Sequence, residues 1–547
     1  MRCGGAAFVV AVLTACAAPA SMGGGSAPVG EQPAFDSSRA NEWVTIRDFR
    51  HVTSVAASQS LAFFGTTAGL ERLDTLRDRW LAPVTAADGL PDDRVTALVA
   101  DPTSGDAWIG TARGLARLVA FVDIVEPVFG PPPFRVDQLL VDPGDGSVWA
   151  LVGGSWWTGR GGSPVLERAA GSPPFARLAG PMAVDEVDPA RLPWTDPLWV
   201  DTPLVFGARV RLTVLDRDRQ GDWFVGTWGD NGRRWRLSAQ TWEPLHFGLA
   251  GAAGGPIAAS ASGYWFLPRS GSSRPPGADV SLAPGRVRIG LAGGAPAPVA
   301  IAHANRALGD WTYAVPAEVT GLPAAESRAA LAAGDTLWLG TDYGVVRGVG
   351  ERWERWGSGG PARALTLDGG LLWVGAEHGL EALDRGSGAS VARFLPGLGI
   401  SALVATPEAV YAGTATGLYA GRRSLSTDVP AGMERVDARG SSIRALAVTD
   451  SLLLVASEMG LEVFDRKAGA WSPTAAGEDR AGDLLAIAVD SSGQVWVGTT
   501  VGLSRWRPDT GEWDDWTPED GLAGVPVLHL LAEDGIVWAS TPGGVSR

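Results

Sequence analysis

Cysteine is almost absent from this chain: Cys3 and Cys16 are the only two in 547 residues. Beyond residue 16 there is neither a thiol nor a disulfide, which excludes cysteine catalysis, cysteine-based zinc sites and covalent staples there. Lysine is rarer still. Lys467 stands alone, so nearly all the basic charge is arginine, which reads as a GC-rich coding bias. Acidic residues outnumber basic ones 60 to 45, for a net charge of -15, and such an acidic surface argues against nucleic acid as a partner. The five histidines, His51, His246, His303, His378 and His529, are scattered without metal-ligand spacing. Apolar runs of membrane-spanning length are lacking as well; the run at 6–14 is too short to cross a bilayer.

That short run follows Arg2 and suits the apolar region of a signal peptide. It ends in Leu13-Thr14-Ala15-Cys16, which resembles a bacterial lipobox, whose cysteine thiol accepts the lipid. The expectation is a signal peptide at 1–15, a lipid on Cys16 and a flexible Ala, Gly, Ser and Pro tether at 16–41. Such a protein is exported and anchored by its lipid without spanning the membrane. Ala17, in place of Asp, favours an outer membrane where the cell has one.

What the chain has in abundance is glycine (74), proline (38) and tryptophan (24), and these recur in register. The kernel is an aromatic or Leu, any residue, Gly/Ala/Ser, Thr/Ser/Ala, two variable residues, Gly, then Leu or Val. It starts at Phe63, Trp108, Trp338, Trp373, Tyr411, Leu454, Trp496 and Trp538, with a one-residue insertion at Phe224 and in degenerate form at Trp149 and Trp265, eleven copies in all. The usual interval of about forty residues is that of one four-stranded propeller blade. Two intervals, Trp149 to Phe224 and Trp265 to Trp338, are much longer; they contain Pro- and Gly-rich stretches at 172–203 and 270–298, read as insertions within blades.

Each copy parses as a strand, an Asp/Gly/Pro turn, the kernel strand, a tight turn at its glycine, a third strand and a Trp-bearing fourth. The kernel aromatic is large and flat enough to fill the space between radial sheets. The prediction is all-β: about eleven four-stranded blades. That exceeds the usual range of about four to eight per ring, which favours two rings, divided near 316–323 into blocks 42–316 and 317–547. The last copy ends at Arg547 without a fourth strand, and Glu42-Trp43-Val44-Thr45-Ile46-Arg47 before the first copy is the spare that closes it. Closure by that route obliges the final ring to borrow its strand from before the first.

Thr85-Ala86-Ala87-Asp88-Gly89-Leu90-Pro91, followed by Trp108-Ile109-Gly110-Thr111-Ala112-Arg113-Gly114-Leu115, resembles the two-component regulator propeller repeat, as does Trp496-Val497-Gly498-Thr499-Thr500-Val501-Gly502-Leu503. The resemblance covers nearly everything after residue 42. It implies a β-propeller of the kind that forms the extracytoplasmic sensor half of hybrid histidine kinases, here without membrane helix, kinase or DNA-binding domain.

Chemistry-bearing motifs are few. Asp216-Arg217-Asp218-Arg219-Gln220-Gly221-Asp222 has a calcium-loop look, but Arg219 takes the third ligand slot and the stretch falls at a hairpin turn. Asp509-Thr510-Gly511-Glu512-Trp513 is similar to quinoprotein docking repeats at a shorter spacing, again at a turn. No metal and no cofactor are expected. The kernel turns project from one face, where Asp342, Tyr343, Glu377, His378 and Glu458 come together as candidate ligand-binding residues. Carboxylates with an aromatic suit a polyol, a sugar or a cation. The reading is a non-catalytic, sensor-like cell-envelope lipoprotein that binds a ligand or a partner protein and meets the membrane only through its lipid. The alternatives are a carbohydrate-active propeller lyase or hydrolase and a pure assembly scaffold.

Overall fold

The computed structural model describes residues 43–547 except 102–103, 143, 175–181, 196–198, 202–208, 252, 270–299, 315–326, 351, 358, 424–428, 437–441 and 473–483. Cys16, the signal segment and the tether lie outside the described residues.

The described chain forms eleven antiparallel sheets, each an up-and-down succession of strands. We number the blades in chain order: 1 (52–80), 2 (95–127), 3 (136–168), 4 (209–245), 5 (257–314), 6 (327–356), 7 (362–394), 8 (400–436), 9 (445–471), 10 (484–516) and 11 (529–546). Every one of the eleven kernels supplies the second strand of its own blade. Among the described residues no helix is long and apolar enough to cross a membrane.

The kernel's local logic is visible in blade 2. Thr111 Oγ1 donates to the Gly114 carbonyl at 2.9 Å and accepts from the Arg113 amide, closing the turn between second and third strands. Thr341, Thr414, Thr499 and Thr541 donate in the same way to Gly344, Gly417, Gly502 and Gly544. Gly114 sits at φ +142°, in the region where a side chain is strained. The kernel aromatics then do what their size suits them for: Phe63, Trp108, Phe224, Trp338, Trp373 and Trp538 are at most 1% exposed, and pack between neighbouring sheets.

First strands lie side by side around each axis. Blades 5, 6, 7, 8, 9, 10 and 11 follow one another and return to 5, a closed circuit of seven. The remaining blades run 4, 1, 2, 3 as an arc. Hydroxyls stitch the arc together: Thr213 to the Val52 carbonyl at 3.1 Å, Thr53 to Val95 at 2.8 Å and Thr96 to Val136 at 2.6 Å. Thr53 and Thr96 occupy the β-bulge that starts their strand, which turns the side chain toward the next blade.

The seven-blade circuit closes with a borrowed strand. Thr45–Ile46 pairs with blade 11, Thr45 opposite Ser546 and Ile46 opposite Val545, and Val44 and Arg547 exchange both backbone bonds. Blade 11 then bonds to the segment before blade 5 through Ser540 Oγ and the Gly255 carbonyl at 2.8 Å. The closing strand thus belongs to the N-terminus, although blades 1 to 4 come between. The expected boundary at 316/317 falls between blades 5 and 6, whose first strands are neighbours inside this circuit. The chain crosses between arc and circuit instead at 47–51 and 246–256.

Both crossings are well tied. Leu249 donates to the Arg47 carbonyl and Gly229 to the Arg50 carbonyl, each at 2.9 Å, and Tyr313 Oη donates to the Phe247 carbonyl at 2.7 Å. Phe49, Trp80, Phe247 and Leu308 belong to one buried cluster that spans the junction. The first of the expected insertions adds two short strands, Met182–Ala183 and Trp199–Asp201, to the free edge of Arg209–Arg217, and Trp194 packs against Trp223, Trp235 and Trp242. The second, 270–298, lies outside the described residues.

Candidate functional site

The kernel turns of the circuit lie at the end from which its first strands start. The Glu377 amide, in the kernel turn of blade 7, donates to the Pro361 carbonyl, just before the first strand of that blade. Asp342 and Tyr343 occupy this turn in blade 6, Glu377 and His378 in blade 7, and Glu458 in blade 9, with blade 8 offering Ala415 and Thr416 between them. The carboxylates are engaged. Asp342 Oδ1 accepts from Arg328 Nε at 2.7 Å, Glu377 Oε2 lies 3.5 Å from Arg363 Nη2, and Glu458 Oε2 accepts from the Ser442 amide at 2.7 Å. Arg328 and Arg363 stand at the first-strand bulge of the same blade, where the arc has Thr53 and Thr96. Two carboxylates of the rim thus face an arginine of their own blade and the third holds a backbone amide. Tyr343 is 43% exposed, and its carbonyl accepts from Arg355.

A second place on the molecule combines polar groups with a cavity. A cleft of about 770 Å³ is lined by Trp43, Arg47, Ala86, Ala87, Asp88, Asp93 and residues 518–523. None of the five rim residues lines it. Its two walls are the two best copies of the repeat's lead-in, Thr85 to Leu90 and Thr517 to Leu522. Each folds as one 3-10 turn closed by a left-handed glycine, Gly89 at φ +105° and Gly521 at φ +107°. Each holds its aspartate in the same way: Asp88 Oδ2 accepts from the Thr85 amide and hydroxyl, and Asp520 Oδ2 from those of Thr517, at 2.8–3.0 Å. Trp43 lies over Gly521, where a Cβ would come within 2.9 Å of the indole. Arg47 pairs with Asp93, whose other oxygen accepts from the Ala86 amide at 2.8 Å.

The lead-in motif was legible in the sequence. That one copy between blades 1 and 2 and one between blades 10 and 11 confront each other across a cleft was not, because it depends on how arc and circuit join. Trp43 and Arg47 appeared in the sequence only as part of a closing strand.

The histidines are dispersed by the fold. His51 meets Trp228 edge-on at 5.0 Å, His246 stacks on Tyr313 at 4.4 Å and His303 lies 4.3 Å from Trp265. Burial pushes the His246 imidazole down to about 4, against the pull of Asp230. Burial, and then Arg269, push His529 down to about 4. Beside His51, burial opposes ionisation of Asp48, but the Arg50 charge and its two 2.8 Å bonds outweigh it and hold the carboxyl below the usual range. Among the described residues no group of three or more His, Cys, Asp or Glu side chains is placed to hold a metal ion. The Asp216 to Asp222 stretch forms the turn between first and second strands of blade 4, with the Asp222 amide on Asp218 Oδ1 at 2.9 Å. The Asp509 to Glu512 stretch turns between the third and fourth strands of blade 10.

No protein-family model matches the chain. No curated protein matches it. Solved structures do. PorZ, a bacterial surface component of the type-IX secretion system of Porphyromonas gingivalis, is 12% identical with a TM-score of 0.50, over 92% of this chain and 86% of that one. The extracellular domain of the putative one-component system BT4673 from B. thetaiotaomicron is 14% identical with a TM-score of 0.35, over 90% of this chain, which spans only 64% of that one. BamB from Moraxella catarrhalis is 13% identical with a TM-score of 0.36, over 61% and 94%. The eleven radial sheets and their kernels make the chain a multi-bladed β-propeller.

Proposed function

We propose that this chain is an exported, lipid-anchored, non-catalytic propeller that binds a small ligand or a segment of a partner protein. The observation that carries the reading is the cleft between the two lead-in turns. It has the size of a small-molecule site, roughly 300–1,000 Å³, and rigid walls that present preset carboxylates, an ion pair and an indole. Carboxylates held in a set orientation by their own turns suit recognition of hydroxyl or ammonium groups. The lipid comes from the Leu13-Thr14-Ala15-Cys16 motif: Cys16→Ser should abolish labelling by a palmitate analogue, and equal labelling of that variant overturns the anchor.

Binding is tested by thermal shift with a panel of glycans and small organic cations, since a ligand raises the melting point by mass action. Three proteins are compared: the parent, Ala87→Trp to fill the cleft, and a variant with Ala at Asp342, Tyr343, Glu377 and His378. A shift lost only in Ala87→Trp supports the cleft. A shift lost only in the rim variant moves the site to the circuit's mouth. A shift equal in all three overturns both, and turnover of any probe overturns the non-catalytic reading.

A further inference from the structure

The opposite end of the arc carries an unusual surface. There the turns between third and fourth strands protrude. In blade 2 this turn reads Ala120-Phe121-Val122-Asp123, with Phe121 96% exposed and Val122 and Ile124 each 51% exposed. The neighbouring turn of blade 1 presents Leu76 at 71%, and that of blade 4 presents Leu237. Blades 4, 1 and 2 are consecutive in the arc, so these side chains form a row on one end. In the circuit the equivalent turns of three blades are polar: Arg385 and Ser387 in blade 7, Arg466 and Lys467 in blade 9, Asp509 and Thr510 in blade 10.

The row is braced. Arg234 and Arg236 of blade 4 hold Asp78 in the blade 1 turn at 2.7 and 3.1 Å, and Arg72 of blade 1 pairs with Asp123 in the blade 2 turn. The turns are thereby fixed to one another while their apolar residues point outward. Scattered apolar side chains on a surface need no explanation. A row on consecutive, mutually ion-paired tips does; among the described residues the equivalent turns of the seven-blade circuit expose no large apolar side chain but Val349, while blade 3 adds Val165 to the arc.

We propose that this row of turns rests on the lipid bilayer as a second contact beside the N-terminal lipid. The proposal rests on the reading that Cys16 is acylated. That anchor fixes the occupant: the stretch from Cys16 to Trp43 spans at most roughly 90 Å. The bilayer is therefore always within reach, and the contact forms at a high effective concentration. Protruding aromatic and aliphatic tips on a rigid base suit insertion among headgroups, where apolar area is buried without a matching groove. The contact would orient the propeller on the membrane.

The test uses the processed chain, residues 16–547, carrying Cys16→Ser, so that no lipid contributes. It is floated with vesicles of phosphatidylethanolamine and phosphatidylglycerol, with and without Leu76→Ser and Phe121→Ser together. Both positions are exposed, so the melting point should not move. The unacylated chain should float, and the double variant should lose at least fivefold of the floated fraction. No flotation of the unacylated chain overturns the contact, as it would if the row docked a protein instead. Equal flotation of the double variant also overturns it. Palmitate labelling of the Cys16 chain reports separately on the anchor.

Discussion

Thr45 and Ser546, at opposite ends of the chain, face each other in one antiparallel ladder, and that pairing completes blade 11, the last blade of the ring formed by blades 5 to 11. Ile46 beside it is 1% exposed and belongs to the core cluster that also spans the junction with the arc. Ile46→Ala should therefore cost about 2–5 kcal/mol. Amide hydrogen exchange should quicken first in Gly544–Ser546 and then in Ile536–Thr541. Unchanged protection there would mean that blade 11 holds without its borrowed strand.

Glycines at the two kinds of turn should respond differently. Gly535, in the blade 11 turn between first and second strands, sits at φ +77° with nothing near a built Cβ. Gly544, at the kernel turn, sits at φ +151°, and its Cβ would lie 2.8 Å from the Ile46 carbonyl oxygen. Gly535→Ala should cost about 1–2 kcal/mol from backbone strain alone. Gly544→Ala should cost more, because it also pushes on the closing strand. Equal melting points for the two variants would remove the clash from the account.

Trp373 is fully buried in blade 7, and its indole N–H has no acceptor among the described residues. Its contribution is volume and dispersion between two sheets. Trp373→Phe should thus be mild, whereas Trp373→Ala should cost about 3–5 kcal/mol. Urea unfolding of both variants measures the difference; a loss for Phe as large as that for Ala would mean that the ring nitrogen matters.

Acid should loosen the junction. Burial lowers His246 to about 4, so the unfolded chain, with an ordinary histidine, binds more protons than the folded chain between about pH 6.5 and 4. Stability from this group is full above that window, falls as the pH drops through it and levels off below about 4. The groups around His246 are Asp230 and Arg233 of blade 4 and the Tyr313 ring of blade 5. His246→Phe keeps the stacking and removes the titration, so its melting point should decline less than that of the parent between pH 6.5 and 4. Parallel declines would assign the acid sensitivity to other groups, His529 among them.

The sequence by itself determined the blade. Period, kernel and glycine turns are short-range features, governed by steric limits on φ and by alternation of side chains, and all eleven second strands fell where the kernels lie. The closing role of Thr45 and Ile46 was legible too, because a blade one strand short leaves an open edge. What only the tertiary structure decided depends on which surfaces meet. Asp342 and Glu377 read from the sequence as candidate ligand-binding residues; that the first-strand bulge brings Arg328 and Arg363 to them is a partnership fixed by register across strands. The seven-and-four grouping followed from which inner strands pack together, and Pro-rich composition near residue 316 carries no information about that. The cleft needed two lead-in turns from distant blades to confront each other. Nothing local in either turn encodes its partner, because their approach is set by the crossings at 47–51 and 246–256 and by the shared core of Phe49, Trp80 and Phe247.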